Sequence, residues 1–170
     1  MTDLVGISQG IFPFLIIIYS IVLHEIAHGY AAYIQGDQTA ARAGRLTLNP
    51  LPHIDPIGSV MVPLFAFFTT GTFFGWAKPV PYNQYNIQSN LGVAFIASAG
   101  ILTNLFLAIV AGVAFKLLYV QGFLTPELGK AIYTIISVNI SLAFFNLIPI
   151  PPFDGMAIVE ALFQIGRAHV

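Results

Sequence analysis

The stretch that most constrains this chain is His24-Glu25-Ile26-Ala27-His28, which continues the apolar run Ile11 to Leu23 without a break. On a helix, histidines at i and i+4 stack on one face, so their ring nitrogens can converge on one ion. The glutamate beside the first histidine can then reach a water held by that ion. The residues before the motif are apolar enough to lie in a bilayer, where ionisable side chains are costly and usually functional. A purely structural role would leave three polar side chains in lipid with nothing to bind. The pattern therefore points to a metal site inside a membrane.

Composition supports the setting. Hydrophobic residues make up 57% of the 170 and charged residues only 8%, against about a quarter charged in a soluble domain. The net charge is -1, and no basic block suggests nucleic acid as a partner. There is no cysteine, which excludes disulfides and thiolate ligands, so a metal must be held by histidine and carboxylate. The N-terminal run has only Asp3 ahead of it and no small-residue cleavage site after it, so it reads as a retained helix and not as a secretory signal.

Along the chain, the first helix is expected from about Gly10 to Ile34, with Ser8 as N-cap and Pro13 in the first turn. At about 1.5 Å per residue His24 lies roughly 20 Å from its start, in the far part of a ~30 Å hydrocarbon core. Gln38 to Pro56 is polar and turn-rich. Ile57 to Trp76 is a second apolar run, broken by Pro63 and Gly71, and Ala77 to Asn90 is a loop. Leu91 to Tyr119 reads as a long helix in which Gly92, Gly100, Asn104, Ala108 and Gly112 share a stripe suited to close packing in lipid. Packing explains the glycines but not Asn104, because a buried amide needs a partner. Leu128 to Ile148 is the next helix, with Asn139 and Asn146 on one face, and it stops at Pro149-Ile150-Pro151-Pro152. Asp154-Gly155 follows, and Met156 opens a further helix. Ile165 to Val170 resembles a translated sequencing-library adapter, so the domain is taken as 1–164, with 165–170 a non-native tail and the chain cut short there.

A catalytic zinc takes three protein ligands and a water. His24 and His28 supply two, and Asp37, His53, Asp55, Glu127 and Asp154 are candidates for the third. Asp154 is the strongest, because a helix of twenty-odd residues from Leu128 brings it about 30 Å across, near the depth of His24. The lesser reading is an N-cap for the segment that begins at Gly155, a role compatible with the first.

The pairing of His24-Glu25-Ile26-Ala27-His28 with the segment Asn146 to Gly155 resembles the site-2 protease family of intramembrane zinc metalloproteases. Segments 44–50, 53–56 and 75–81 are similar to loops of the small bacterial members, which lack PDZ and CBS domains. The resemblance implies one zinc ion held by His24, His28 and Asp154, with Glu25 as general base. It implies that Asn146 hydrogen-bonds substrate or oxyanion, and it matches Asn104 to the polar position of a Gly-Pro-x-x-Asn segment. Ile101 stands where that segment usually has proline, and Met156 where a small residue often follows Asp-Gly.

The expected fold is all-α: a polytopic membrane protein of about four transmembrane helices plus a re-entrant or hairpin segment at 57–76. Asp154 and His28 must share one side of the bilayer, which requires an even number of crossings between them and forbids a simple crossing by 57–76. Arg42, Arg45 and Lys78 then face Lys116 and Lys130 across the membrane, which directs the site toward the cytoplasm of a multi-pass cell-membrane protein. The expected reaction is hydrolysis of a peptide bond in a single-span membrane-protein substrate. The substrate helix must unwind, and Gln38 to Pro56 could offer it a strand edge. The rivals are a non-proteolytic zinc-binding homologue, a metal transporter, and a tethered protease acting on soluble peptides.

Overall fold

The computed structural model describes residues 2–70 and 75–163, with the side chains of 2–11, 63 and 67 excepted. Gly71 and the tail 165–170 lie outside the described residues. The elements are α1 (Thr2–Tyr33), α2 (Thr39–Arg42), α3 (Val62–Thr70), α4 (Asn90–Val120), α5 (Pro126–Asn146) and α6 (Asp154–Phe163), and no strand occurs among the described residues. The protein is an all-α membrane protein. Three of the described helices are long and apolar enough to cross a bilayer: Phe12–Tyr33, Asn90–Val120 and Pro126–Asn146. That is one fewer than the expected four, since α6 has only 10 described residues.

Local chemistry sets these boundaries. Ser89 Oγ accepts the Gly92 N–H (3.0 Å) to start α4, and Thr125 Oγ1 accepts the Leu128 N–H (3.2 Å) to start α5, with Pro126 in its first turn. Gly36, at φ 98°, closes α1 in the left-handed region. The first helix differs from expectation at its other end. It begins at Thr2, not near Gly10, and Pro13 is internal to it. An apolar setting offers backbone groups no water, so helix persists around the one hydrogen bond that Pro13 removes.

The central element is α4, which packs against α1, α5 and α6. Its buried residues Val93, Ala97, Gly100, Asn104, Ala108 and Ala111 recur every three or four positions and form the inner face of the bundle. Mostly small side chains let the helices approach closely where lipid gives no hydrophobic drive between them.

The described ends of the run 57–76 lie together. Asp55 caps its start through the N–H groups of Ile57 (2.9 Å) and Gly58 (2.6 Å), and a π-type turn, Pro56–Met61, leads into α3. The chain then comes back to where it left. Trp76 N–H donates to the Gly58 carbonyl (3.0 Å), and the Ser59 hydroxyl donates to the Trp76 carbonyl (2.8 Å). A side chain at Gly58 would overlap the Trp76 indole, so glycine is needed for that closure. Both ends of the apolar segment therefore sit on one side, as the crossing argument requires. The polar segment 38–56 forms α2 and a 3₁₀ turn at Leu51–His53, not a strand edge, because Pro50, Pro52 and Pro56 cannot donate to a ladder.

Candidate metal centre

One turn of α1 separates His24 from His28, and their rings meet edge to face with centroids 4.6 Å apart and Nε2 atoms 3.0 Å apart. Each outer nitrogen is tied to α4. His24 Nδ1 meets Asn104 Oδ1 (2.5 Å), and His28 Nδ1 meets the Ile96 carbonyl (2.7 Å). Those oxygens accept, so each Nδ1 carries the hydrogen and each Nε2 presents a lone pair inward. Asp154 Oδ2 lies 3.1 Å from His24 Nε2 and 3.2 Å from His28 Nε2.

Three electron-rich atoms thus converge, and Asp154 Oδ2 is buried without a hydrogen-bond partner. Left alone, such a cluster is unfavourable, because buried acceptors face one another with nothing to share. A divalent cation removes the conflict. Ligands at about 2.0–2.1 Å from a tetrahedral zinc stand about 3.3 Å apart, close to the separations found here. The residues present fit the metal.

Two glycines make the convergence possible. A Cβ on Gly100 would lie 2.5 Å from both His24 Cε1 and His28 Nε2, so the imidazoles occupy the space that any other residue on α4 would fill. Gly155 does the same for the carboxylate. A Cβ there would overlap the Leu147 and Ile148 carbonyls, so the first turn of α6 can tuck under the end of α5 and present Asp154. The small-residue stripe on α4 therefore has unlike members: Gly92 lies against Gln35 and Ile87, Gly100 against the imidazoles, and Gly112 against nothing within 4 Å.

Behind His24 runs a buried amide chain. Asn104 Nδ2 donates to Asn139 Oδ1 (2.8 Å), and Asn139 Nδ2 donates to Ser20 Oγ (3.0 Å) and to the Ile135 carbonyl (2.9 Å). Asn104 and Asn139 are 0% and 1% exposed, so they form a solvent-free brace for one imidazole across α1, α4 and α5. Asn139 and Ser20 were not among the sequence candidates. The available signal was a lone amide on an apolar helix, which must be satisfied somewhere.

Glu25 points to a different layer. Its Oε2 accepts the Val80 N–H (2.7 Å) from the loop that follows Trp76. Asn146 is the last residue of α5, and its Nδ2 donates to the Leu142 carbonyl one turn back (2.9 Å). Of the five candidates for the third ligand, the other four are placed elsewhere. Asp37 accepts from Thr39, Asn83 and Asn86, His53 Nε2 meets the Thr47 carbonyl, Asp55 caps the start of the 57–76 run, and Glu127 opens α5. Asp154 alone among these acids joins the histidines.

A His-Glu-x-x-His turn on a helix apolar enough to span lipid, completed by a distant aspartate, defines the class of membrane zinc metalloproteases. The sequence profile described as Peptidase family M50 matches residues 123–170. Over 165 residues the chain is 36% identical to a Bacillus subtilis protein named "Putative zinc metalloprotease YwhC", covering 92% of this chain and 72% of that one. It is 28% identical over 144 residues to "Putative zinc metalloprotease Rip2" of Mycolicibacterium smegmatis, and spans about half (53%) of that longer protein. A Rip2 protein of Mycobacterium tuberculosis is also 28% identical, over 141 residues. No solved structure matches the chain. The chain belongs to peptidase family M50, the site-2 protease family.

Proposed function

We propose that this chain is an intramembrane zinc metalloendopeptidase that hydrolyses peptide bonds in or near the membrane span of single-span protein substrates. The observation that carries the reading is the meeting of His24, His28 and Asp154 within 3.2 Å beside a glutamate on the same helical turn. His24, His28 and Asp154 would hold one zinc ion, with 1–164 as the protease core. When bound, zinc supplies Lewis acidity, which polarises a carbonyl and brings the pKa of a water near neutrality.

The remaining roles fall to the chain's own groups. Glu25 takes a proton from the attacking water at a carboxylate oxygen and passes it to the leaving amine. Asn104 and Asn139 keep the His24 Nδ1 hydrogen in place, which holds Nε2 ready as a ligand. Asn146 has a second Nδ2 hydrogen beyond the one given to Leu142, and offers it to the substrate backbone or to the developing oxyanion. Water enters from the polar layer formed by 35–56 and 75–90. Arg42, Arg45 and Lys78 in that layer, against Lys116 and Lys130 near the opposite end of the bundle, support a cytoplasmic orientation.

The test is cleavage of a panel of single-span substrates by the zinc-loaded protein, with Glu25→Gln as the comparison. Wild type is expected to cleave at least one, while Glu25→Gln keeps zinc and cleaves none. Cleavage by Glu25→Gln at the wild-type rate would remove Glu25 from the mechanism. Bound zinc with no cleavage by wild type would favour a non-proteolytic homologue.

A further inference from the structure

Alternate N–H groups of the stretch from Gly75 to Tyr82 donate to other segments of the chain, the last of them to Glu25. Trp76 N–H donates to the Gly58 carbonyl (3.0 Å), Lys78 N–H to the His53 carbonyl (2.9 Å), and Val80 N–H to Glu25 Oε2 (2.7 Å). Two rungs end on backbone and the third on a carboxylate. Between the second and third rungs, Arg45 Nη2 donates to the carbonyls of Lys78 (2.5 Å) and Pro79 (3.2 Å). Arg45 is 5% exposed, and burying a guanidinium is costly unless its donors are used. Attraction to Glu25 offsets part of that cost.

We propose that Arg45 is a positioning residue for Glu25: its hold on the Lys78 and Pro79 carbonyls fixes the Val80 N–H, and that N–H fixes the carboxylate. The inference rests on Glu25 being the general base. The local sequence fits the task. Val80 lies between Pro79 and Pro81, whose rings restrict φ, so the amide between them is stiffly presented. The Val80 side chain is 6% exposed and rests at the α1 surface, where a Cβ on Gly29 would lie 3.0 Å from Val80 Cγ1. Occupying Oε2 from the strap side leaves Oε1 to meet the water, so the carboxylate has one orientation in place of several. A base turned away by even a small rotation loses hydrogen-bond reach, and rate falls without a change in substrate affinity.

Hydrogen exchange reads this directly. Prolines carry no amide hydrogen, so Val80 contributes the single exchangeable backbone site from Pro79 to Pro81. The zinc-loaded full chain in detergent is compared with Arg45→Met, Arg45→Lys, Glu25→Ala and Glu25→Gln. Arg45→Met and Glu25→Ala are each expected to speed Val80 exchange by roughly tenfold, the worth of one hydrogen bond. Glu25→Gln retains an oxygen acceptor and is expected to change it less. Arg45→Met is expected to lower kcat roughly 10- to 100-fold, as loss of a supporting contact does, with KM and zinc content near wild type.

Wild-type exchange at Val80 in Arg45→Met would overturn the proposal. So would a joint fall of kcat, zinc content and thermal midpoint, which is what a general folding defect gives. If Arg45→Met does not fold, Arg45→Lys, which keeps charge and some reach, must show the same two changes in smaller measure. If wild type cleaves nothing, the protease reading fails, while the exchange arms still decide whether Arg45 governs the Val80–Glu25 contact.

Discussion

The metal cradle and the strap that covers it meet at one end of α1, and they are built by different means. The cradle is made by helices. His24, His28 and Asp154 come from α1 and α6, and what holds the histidines is buried on α4: an amide, a carbonyl and the space above Gly100. The strap is made by turns, and its anchors are loop groups: Asp37, Arg45, the His53 carbonyl and the Gly58 carbonyl. Helix-borne groups move only with their helices, whereas loop-borne groups can move by local rearrangement. The three candidate ligands are thus fixed by the fold itself. The proposed base is fixed by a polar layer laid over it.

The comparison is broken most severely by removing a ligand. Asp154→Ala or His28→Ala is expected to reduce bound zinc from one per chain toward none and to abolish cleavage. Metal analysis of the purified protein beside a substrate assay checks this, and full zinc occupancy in Asp154→Ala would dissolve the cradle.

Next in size is Gly100→Ala, whose methyl would stand 2.5 Å from two imidazole atoms. Overpacking of this kind costs about 1–3 kcal/mol, and here it would fall on the ligands, so zinc content and cleavage should drop together. Gly112 on the same helix meets nothing within 4 Å. Gly112→Ala should therefore be neutral, or stabilising by up to about 1 kcal/mol from helix propensity. Thermal midpoints of the pair separate the two roles of one small-residue stripe.

A smaller effect is expected from the brace. Asn104→Ala leaves His24 Nδ1 without its acceptor and should weaken zinc binding or turnover by roughly 10- to 100-fold, measured by titration with a competing chelator. Asn139→Ala, one bond further out, should act in the same direction and less.

The mildest break lies in the strap layer and depends on pH. Burial alone would raise the Asp37 carboxyl, but hydrogen bonds from Thr39, Asn83 and Asn86 outweigh it and hold the pKa below the usual carboxylate range. A depressed folded-state value means that the stabilisation is complete above the unfolded pKa, about 4, and is lost as pH falls below it. The thermal midpoint of Asp37→Asn should lie below wild type near neutral pH, and the gap should close as the solution is acidified through that range. A gap independent of pH would mean that charge on Asp37 is not what ties α1 to the 83–86 turn.

The same division explains what was legible in the sequence. His24 and His28 announce themselves because helix geometry alone places them on one face, and Glu25 because it stands beside the first of them. Asp154 was recoverable from helix length and the proline break at 149–152. That both ends of the 57–76 run lie on one side followed from counting crossings, although the hydrogen bonds that join them, between Trp76 and Gly58 and between Ser59 and Trp76, have no spacing rule. The extra helical turns before Gly10 were missed because Ser8 offered a cap and Pro13 suggested a first turn, while lipid rewards continuing the helix. Asn139, Ser20 and Arg45 were not legible as site supports. Their partners are remote in sequence, and only the packing of α4 brings them together.

His28 and Asp154 are more than about a hundred residues apart in the chain, yet they belong to one cluster of ligands. An ion seated there would act as a clasp between the first helix and the last described one, stabilising folded over unfolded chain by closing a very large loop. Chelation should then do more than stop chemistry: it should free the α6 end of the protein to swing from the bundle and become open to an added soluble protease.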